Sequence, residues 1–370
     1  MTSPKMIFLL HTLRRIVIIP LILVSIIGSR ISEIKATETY SLYETLNLYG
    51  YTKDSQKQAL EYLLRQSKVI DPDQSFEDIF PPRDNKEDLF KDILKFVKLI
   101  QQNFVVRKAA QERWEIIAPS WMQENTAALM EALAELQLTQ EVLPPLARPD
   151  AICILGSTYT SMGNRIEFVS NLFQQETLDA KYLILLAGER KVKVGVDGTE
   201  DDLLKISQKY NKESLNSLTE TDLIKELYEK SPLVSNFETV VIDTPAGNLP
   251  RPTTETTVFA LSQWLDTHPD IKSIVFVSNQ PYVGYQKAII TAVFKSRKLD
   301  IQFSVIGSSV KDHIDPQKLI EALGSEIWAR TPLVISAMSE VPENSPIINE
   351  FKELYEKTPL IYSLMDFRTF

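Results

Sequence analysis

The second half of the chain alternates between short apolar runs and longer amphipathic stretches. Five short apolar runs lie at 151–156, 182–188, 239–243, 274–277 and 301–307. Apolar residues recur every three or four positions at 164–175, 220–229, 255–265, 283–296 and 316–329. Buried strands that alternate with amphipathic helices are typical of βαβ units. The pattern therefore predicts an α/β fold built on a doubly wound, Rossmann-like parallel sheet of about five strands.

The first half shows helical periodicity and no strand signal. The predicted helices cover 55–66, 86–106, 108–117 and 125–138. The second of them is the clearest, because Leu89, Ile93 and Phe96 fall on one face while lysines occupy the other. We predict an all-helical domain over 40–147, in which the apolar stripe forms a bundle core.

A cluster of prolines separates the two halves. Pro144, Pro145 and Pro149 lie within six residues and disfavour both helix and sheet. We place the domain boundary there, so that the α/β domain covers 148–335. A C-terminal helical extension is predicted over 336–370.

The N-terminus has the layout of an export signal. Arg14 and Arg15 precede an apolar run over 16–28, which as a helix would reach roughly 20 Å, short of the ~30 Å hydrocarbon core of a bilayer. Residues 1–36 are therefore predicted to be a signal peptide or an N-terminal membrane anchor, with membrane association through 6–28. The expected location is the periplasm or the outer face of the inner membrane, or outside the cell.

Composition excludes several classes of site. The net charge of −9 argues against a general nucleic-acid binder, which needs a basic face. One cysteine, Cys153, and three histidines leave no intrachain disulfide and no expected metal site. The sequence also lacks the P-loop, the G-x-G-x-x-G fingerprint, the G-x-S-x-G elbow and H-E-x-x-H.

Small or hydrogen-bonding residues follow the predicted strands. In a parallel sheet the carboxyl ends of the strands meet at one edge, where ligands bind in α/β proteins. We therefore predict a site for a small polar or anionic ligand, with no assigned catalytic residue. The candidate ligand-binding residues are Gly156, Ser157, Arg165, Gly188, Glu220, Asp243, Thr253, Glu255, Ser278, Asn279, Gln280 and Tyr282.

Each of these charged residues has a functional and a structural interpretation. Arg165 could bind a carboxylate or phosphate bidentately, or form a salt bridge with a neighbour. Glu220 and Glu255 lie in first turns, where the helix dipole alone favours a carboxylate. Asp243 would act as a base or ribose ligand, or cap the turn before Pro245. The polar insert at 190–217 is either a lid over the sheet edge or a solvated excursion.

The order of these motifs resembles the YdcF/SanA/ElyC-type family of bacterial envelope-associated α/β proteins. The resemblance covers about 150–310 and runs through Gly156, Arg165, Gly188, Thr219-Glu220, the segment 253–256 and Val277-Ser278-Asn279. Glu189 stands where the family has a second glycine, Thr256 where it has asparagine, and 281–286 lack the family's histidine and arginine. The resemblance implies binding of S-adenosylmethionine and a role in cell-envelope upkeep.

Two classes of function remain open at this point. The first is an exported YdcF-like enzyme or binder of a nucleotide-type ligand at the sheet edge. The second is a non-catalytic envelope or secreted interaction protein that uses the helical domain as its partner surface. Fold alone does not decide between them.

Overall fold

The computed structural model describes residues 39–105, 119–310 and 314–338, together with 346, 349–351 and 353. Three predictions lie wholly or mostly outside these residues: the export segment at 1–36, the helix at 108–117 and the extension at 336–370. Among the described residues no helix is both long enough and apolar enough to cross a membrane.

Helices make up the described region before the sheet. They are α1 Leu42–Thr45, α2 Asp54–Gln66, α3 Phe76–Ile79, α4 Lys86–Asn103 and α5 Thr126–Glu135, with a 3₁₀ turn at Ser120–Met122. Asn85 caps α4 by accepting a hydrogen bond from the N–H of Asp88. α2 packs on α5, and α1 packs on α4.

Within the described residues, five strands form one parallel sheet in the order β3-β2-β1-β4-β5. This confirms the prediction of a Rossmann-like sheet. The strands are β1 Ala151–Leu155, β2 Tyr182–Gly188, β3 Glu238–Thr244, β4 Ser273–Asn279 and β5 Gln302–Ser308.

The helices of the α/β part cover both faces of the sheet. Along β1, Ala151 and Cys153 belong to one apolar core, whereas Ile152 and Ile154 belong to the other, as the two-residue period of a strand requires. α6, α7 and α8 lie on the second face, and α9, α10 and α11 lie on the first. Their bounds are α6 Tyr159–Gln174, α7 Glu200–Lys209, α8 Glu220–Glu229, α9 Thr254–Leu265, α10 Val283–Ser296 and α11 Pro316–Ala337.

The N-terminal helices share an apolar core with the first face of the sheet. Leu60 and Phe96 of the helical region belong to the same contiguous cluster as Phe276 of β4 and Trp328 of α11. α11 contacts α4, α5 and α10 and so joins the two regions. The division into domains at residue 147 stays a prediction.

Three elements differ from the sequence-based expectation. α6 begins at Tyr159 rather than near 164, because Thr158 is extended and its carbonyl already accepts from the N–H of Met162. Its first turn is polar, so the spacing of apolar residues in the sequence does not reveal it. α11 continues through Pro332 to Ala337, since Thr331 and Val334 are buried and tertiary packing offsets the cost of the proline. The insert contains α7, whose Leu203 and Ile206 are buried.

We expect Phe96→Ala to lower the free energy of unfolding by about 3–5 kcal/mol, because the lost ring leaves a cavity in the shared core. Urea unfolding followed by far-UV circular dichroism and by tryptophan fluorescence should give one coincident transition, shifted as a whole. The control Leu48→Ala, at an exposed position, should change stability by less than about 0.5 kcal/mol. Two separate transitions, of which only one shifts, would contradict the shared core.

Candidate functional site

The carboxyl edge of the sheet has its point of reversal between β1 and β4. These strands are neighbours, but the chain leaves β1 for α6 on one face and β4 for α10 on the other. Such a point of reversal leaves a crevice beyond the carboxyl ends of the strands. The crevice is therefore bordered by Gly156 after β1 and by Asn279 at the end of β4.

Arg165, in the second turn of α6, spans this crevice. Its Nη1 donates to the carbonyls of Leu155 at 2.6 Å and Gly156 at 2.8 Å, and its Nε donates to Asn279 Oδ1 at 2.9 Å. Its side chain thus ties the end of β1 to the end of β4. Burial lowers the pKa of Arg165 to about 10, so the guanidinium is still charged at neutral pH.

No carboxylate pairs with Arg165. The residue is 1% exposed, yet within the described part of the chain it forms no ion pair, and its Nη2 makes no hydrogen bond. Buried charges in proteins are normally paired. Arg165 is therefore a buried cation whose counter-charge is not in contact with it.

Glu220, the first residue of α8, also contacts Gly156. A Cβ on Gly156 would lie 2.0 Å from Glu220 Oε1, so the carboxylate packs directly on the glycine backbone. Its Oε2 accepts from Nε of Arg190 at 2.8 Å. Burial raises the pKa of Glu220, while the charges of Arg190, Arg165 and Arg251 oppose the rise.

Asp197 fixes Arg190 from the insert. Its carboxylate accepts from Nη1 and Nη2 of Arg190, both at 2.9 Å, and from the N–H of Lys193 at 2.9 Å. It also accepts from the N–H of Tyr159 at 3.2 Å, which places it at the N-terminus of α6. Arg190 in turn donates to the carbonyl of Ser157 at 3.0 Å. These bonds close the insert over the first turn of α6.

The candidates near β2 and β3 lie on the far side of this cluster. Gly188 is covered by Pro252, whose Cγ would lie 2.7 Å from a Cβ there. Asp243 is exposed on the edge strand and accepts from Thr221 Oγ1 at 2.6 Å. Thr253 caps α9 by accepting from the N–H of Thr256, and Glu255 is buried in the first turn of α9.

The β4 corner is partly occupied by contacts to the helical region. Gln280 Nε2 donates to the carbonyls of Gln137 and Gln140, at 3.0 and 2.8 Å. Ser278 is fully buried, and its hydroxyl donates to the carbonyl of Asn279. Tyr282 is half-buried before α10, close enough to Arg165 to affect its pKa.

The structure thus brings together the part of the predicted set that borders β1 and β4. The members that meet there are Gly156, Ser157, Arg165, Glu220, Asn279 and Tyr282. Sequence reasoning missed the roles of Arg190 and Asp197. Arg190 had a signal, since it lies two residues after the end of β2 and therefore near the sheet edge, whereas Asp197 looked like any carboxylate in a polar loop.

The described residues contain no group of three or more histidine, cysteine, aspartate or glutamate side chains arranged to hold a metal ion. No protein-family model matches this sequence, and no curated protein is detectably similar to it. The fold and the geometry of the site therefore carry the functional argument.

We expect Gly156→Ala to lower the free energy of unfolding by about 1–3 kcal/mol, because its methyl group would overlap Glu220 Oε1 and approach the Ala187 backbone. Gly163→Ala is the matched control: the nearest atom to its added Cβ, on Leu227, is 3.7 Å away. Since alanine is the better helix former, this control should stabilise by up to about 1 kcal/mol. Equal effects of the two changes, measured by urea denaturation, would contradict the contact of Glu220 with Gly156.

We expect Arg190→Ala to destabilise the protein by about 3–5 kcal/mol at neutral pH, because it leaves two buried carboxylates unpaired. The loss should shrink as pH falls. Glu220, whose pKa is raised, becomes neutral first, and Asp197, whose pKa Arg190 holds below its usual value, follows at lower pH.

Urea denaturation between pH 4 and pH 8 measures this trend. Adding Glu220→Gln to Arg190→Ala should recover part of the stability at pH 8, since it removes one unpaired charge. A loss of stability that is the same at every pH would show that the ion pairs are not its cause.

Proposed function

We propose that this protein binds a small ligand with an anionic group at the carboxyl edge of its sheet, in the crevice between β1 and β4. One observation carries the proposal: Arg165 is a buried guanidinium without a carboxylate partner in the described chain, and its Nη2 is uncommitted. A phosphate or carboxylate would accept from this nitrogen and supply the missing counter-charge.

The energetics support a ligand over a purely structural role. Keeping a guanidinium out of water without a counter-ion in contact with it costs several kcal/mol. The carbonyls of Leu155 and Gly156 and the amide of Asn279 provide dipoles but no charge, and Glu220 acts on the guanidinium only from a distance. A protein that only needed to tie β1 to β4 could use a neutral side chain. The charge is therefore best explained by an anion that binds there.

The surrounding charges favour an anion as well. Arg165, Arg190 and Arg251 all act electrostatically on Glu220, and Asp197 is the second carboxylate in this network. Arginine side chains thus gather around Glu220 in a chain whose net charge is −9. Cations beside a cleft favour the approach of an anionic ligand.

The resemblance to the YdcF type supports a narrower form of the proposal. It favours a nucleotide-type ligand such as S-adenosylmethionine, whose carboxylate would pair with Arg165, and a role in the cell envelope after export. The alternative of an interaction protein has less support, because the apolar stripes of the described helices are buried in the core shared with the sheet. The exposed large apolar side chains in that region, Leu48 and Leu143, are scattered singly along the chain.

We expect inorganic phosphate, adenosine monophosphate or S-adenosylmethionine to raise the thermal unfolding midpoint of the full-length chain, because a ligand that binds only the native state stabilises it. Arg165→Lys should weaken that ligand about tenfold or more, since lysine keeps the charge and loses the planar fork. Native mass spectrometry of the purified chain tests for a retained small molecule in parallel.

Arg297→Lys is the control for this experiment. Arg297 pairs with Asp266 at 2.6 Å, away from the crevice, so its change should leave ligand binding unaltered. The proposal fails if none of the three compounds shifts the midpoint and no small molecule is retained. It fails equally if Arg165→Lys binds the ligand as tightly as the parent chain.

A further inference from the structure

We propose that the site at Arg165 takes up one proton together with its anion, that Glu220 receives this proton, and that the anion therefore binds more tightly as pH falls. This inference rests on the proposed function and adds the regulation of that same site. It follows from the balance of charges around Gly156.

Four charges in this corner cancel when no anion is bound. They are two cations and two carboxylates: Arg165, Arg190, Glu220 and Asp197. Three of them are on residues that are at most 8% exposed. An anion at Arg165 would leave the set with a net negative charge out of water, which is unfavourable unless a proton enters with the anion.

Glu220 is the carboxylate whose charge acts on Arg165, although the two side chains form no hydrogen bond with each other. Both contact Gly156: Nη1 of Arg165 lies 2.8 Å from its carbonyl oxygen, and Oε1 of Glu220 packs against its backbone. The size of one residue then places the two side chains within about 8 Å of each other. An anion that pairs with Arg165 therefore approaches Glu220 as a like charge.

Hydrogen bonds decide which carboxylate receives the proton. Asp197 accepts from two nitrogens of Arg190 and from two backbone N–H groups. Burial opposes its ionisation, but these bonds outweigh burial and hold the pKa of Asp197 below its usual value. Among the described residues Glu220 accepts one bond, from Nε of Arg190 at 2.8 Å, and burial raises its pKa. Glu220 is therefore the carboxylate that protonates first.

The titratable groups of the neighbouring elements are already engaged. They are Arg251 and Glu255 at the start of α9, Tyr282 before α10, and Asp222 on α8. The first three have interaction partners of their own, and Asp222 forms an ion pair with Lys212 at 2.9 Å. Glu220 is thus the group of this corner whose charge changes when an anion arrives.

The direction of the pH dependence follows from this coupling. Burial already raises the pKa of Glu220 in the free protein, and a bound anion raises it further because it repels the ionised carboxylate. The affinity is then highest below the pKa of the free protein and declines as pH rises through the interval between the two pKa values. Two charges about 8 Å apart at an effective dielectric constant of about 20 shift a pKa by roughly one unit or more, which corresponds to about tenfold in affinity.

Isothermal titration of the full-length chain with sulfate between pH 5 and pH 9 measures this coupling. Sulfate keeps its charge across this range, so the ligand itself contributes no proton. We expect sulfate to bind about tenfold or more tightly at pH 5 than at pH 9. At intermediate pH, titrations in two buffers of different ionisation enthalpy should show the uptake of up to one proton for each sulfate bound.

Glu220→Gln should remove the pH dependence. Its affinity for sulfate should vary by less than about twofold over this range and exceed that of the parent chain at pH 9, because no carboxylate charge repels the anion. A merely structural role for Glu220 would not give a gain in affinity. Glu226→Gln is the matched control: Glu226 is a buried carboxylate of the same helix, paired with Lys230 at 2.6 Å, and its change should leave the pH dependence intact.

Each other outcome overturns a defined statement. If sulfate binds the parent chain equally well at every pH and without proton uptake, this inference is wrong and the anion site stands. If the pH dependence persists in Glu220→Gln, the assignment of the proton to Glu220 is wrong. If sulfate binds at no pH, this inference fails together with an oxyanion form of the proposed function. Titration of the parent chain decides the first and the last of these points even if Glu220→Gln fails to fold.

Discussion

The reach of one guanidinium from β1 to β4 organises the edge of the sheet. Arg165 bonds to the last carbonyls of β1 and to the side chain of Asn279 across the point where the chain reverses direction. Strands in this position have no connecting loop to hold their ends together, because their helices leave to opposite faces. A side chain with several donors in one plane joins the two strand ends without a backbone link, and its charge, which no carboxylate contacts, is the basis of the proposed anion site.

A second set of contacts supports the site from outside the sheet. The series Asp197, Arg190, Glu220 joins the insert to the first turn of α6 and to the start of α8. On the other side, Gln280 links the β4 corner to the carbonyls of the helical region. The crevice is therefore bounded by two regions that lie outside the regular βαβ pattern, and their position affects the residues that border it.

The helical region is also connected to the sheet by buried polar contacts. Glu326 and Arg330 of α11 form an ion pair at 2.6 Å, and Arg330 donates to the carbonyl of Tyr49. Burial raises the pKa of Glu326, and its carboxylate packs on Gly284 at the start of α10. Such contacts restrict how α11 is oriented relative to the helical region, because a buried ion pair tolerates little displacement. The β4 corner and α11 thus both contact the helical region.

The sequence by itself determined the class of fold and the edge of the sheet at which polar residues gather, because apolar periodicity and turn chemistry are local signals. It also identified Arg165, Glu220 and Asn279 as members of one set. It could not show that α6 begins at Tyr159, that Gln280 faces the helical region, or that Asp197 holds Arg190. Those facts depend on which distant segments meet. Residues 165 and 279 meet because β1 and β4 are neighbours in the sheet, and residues 197 and 159 meet because the insert folds back to the start of α6. Tertiary structure alone decided them, since burial and the pairing of charges are properties of the folded arrangement.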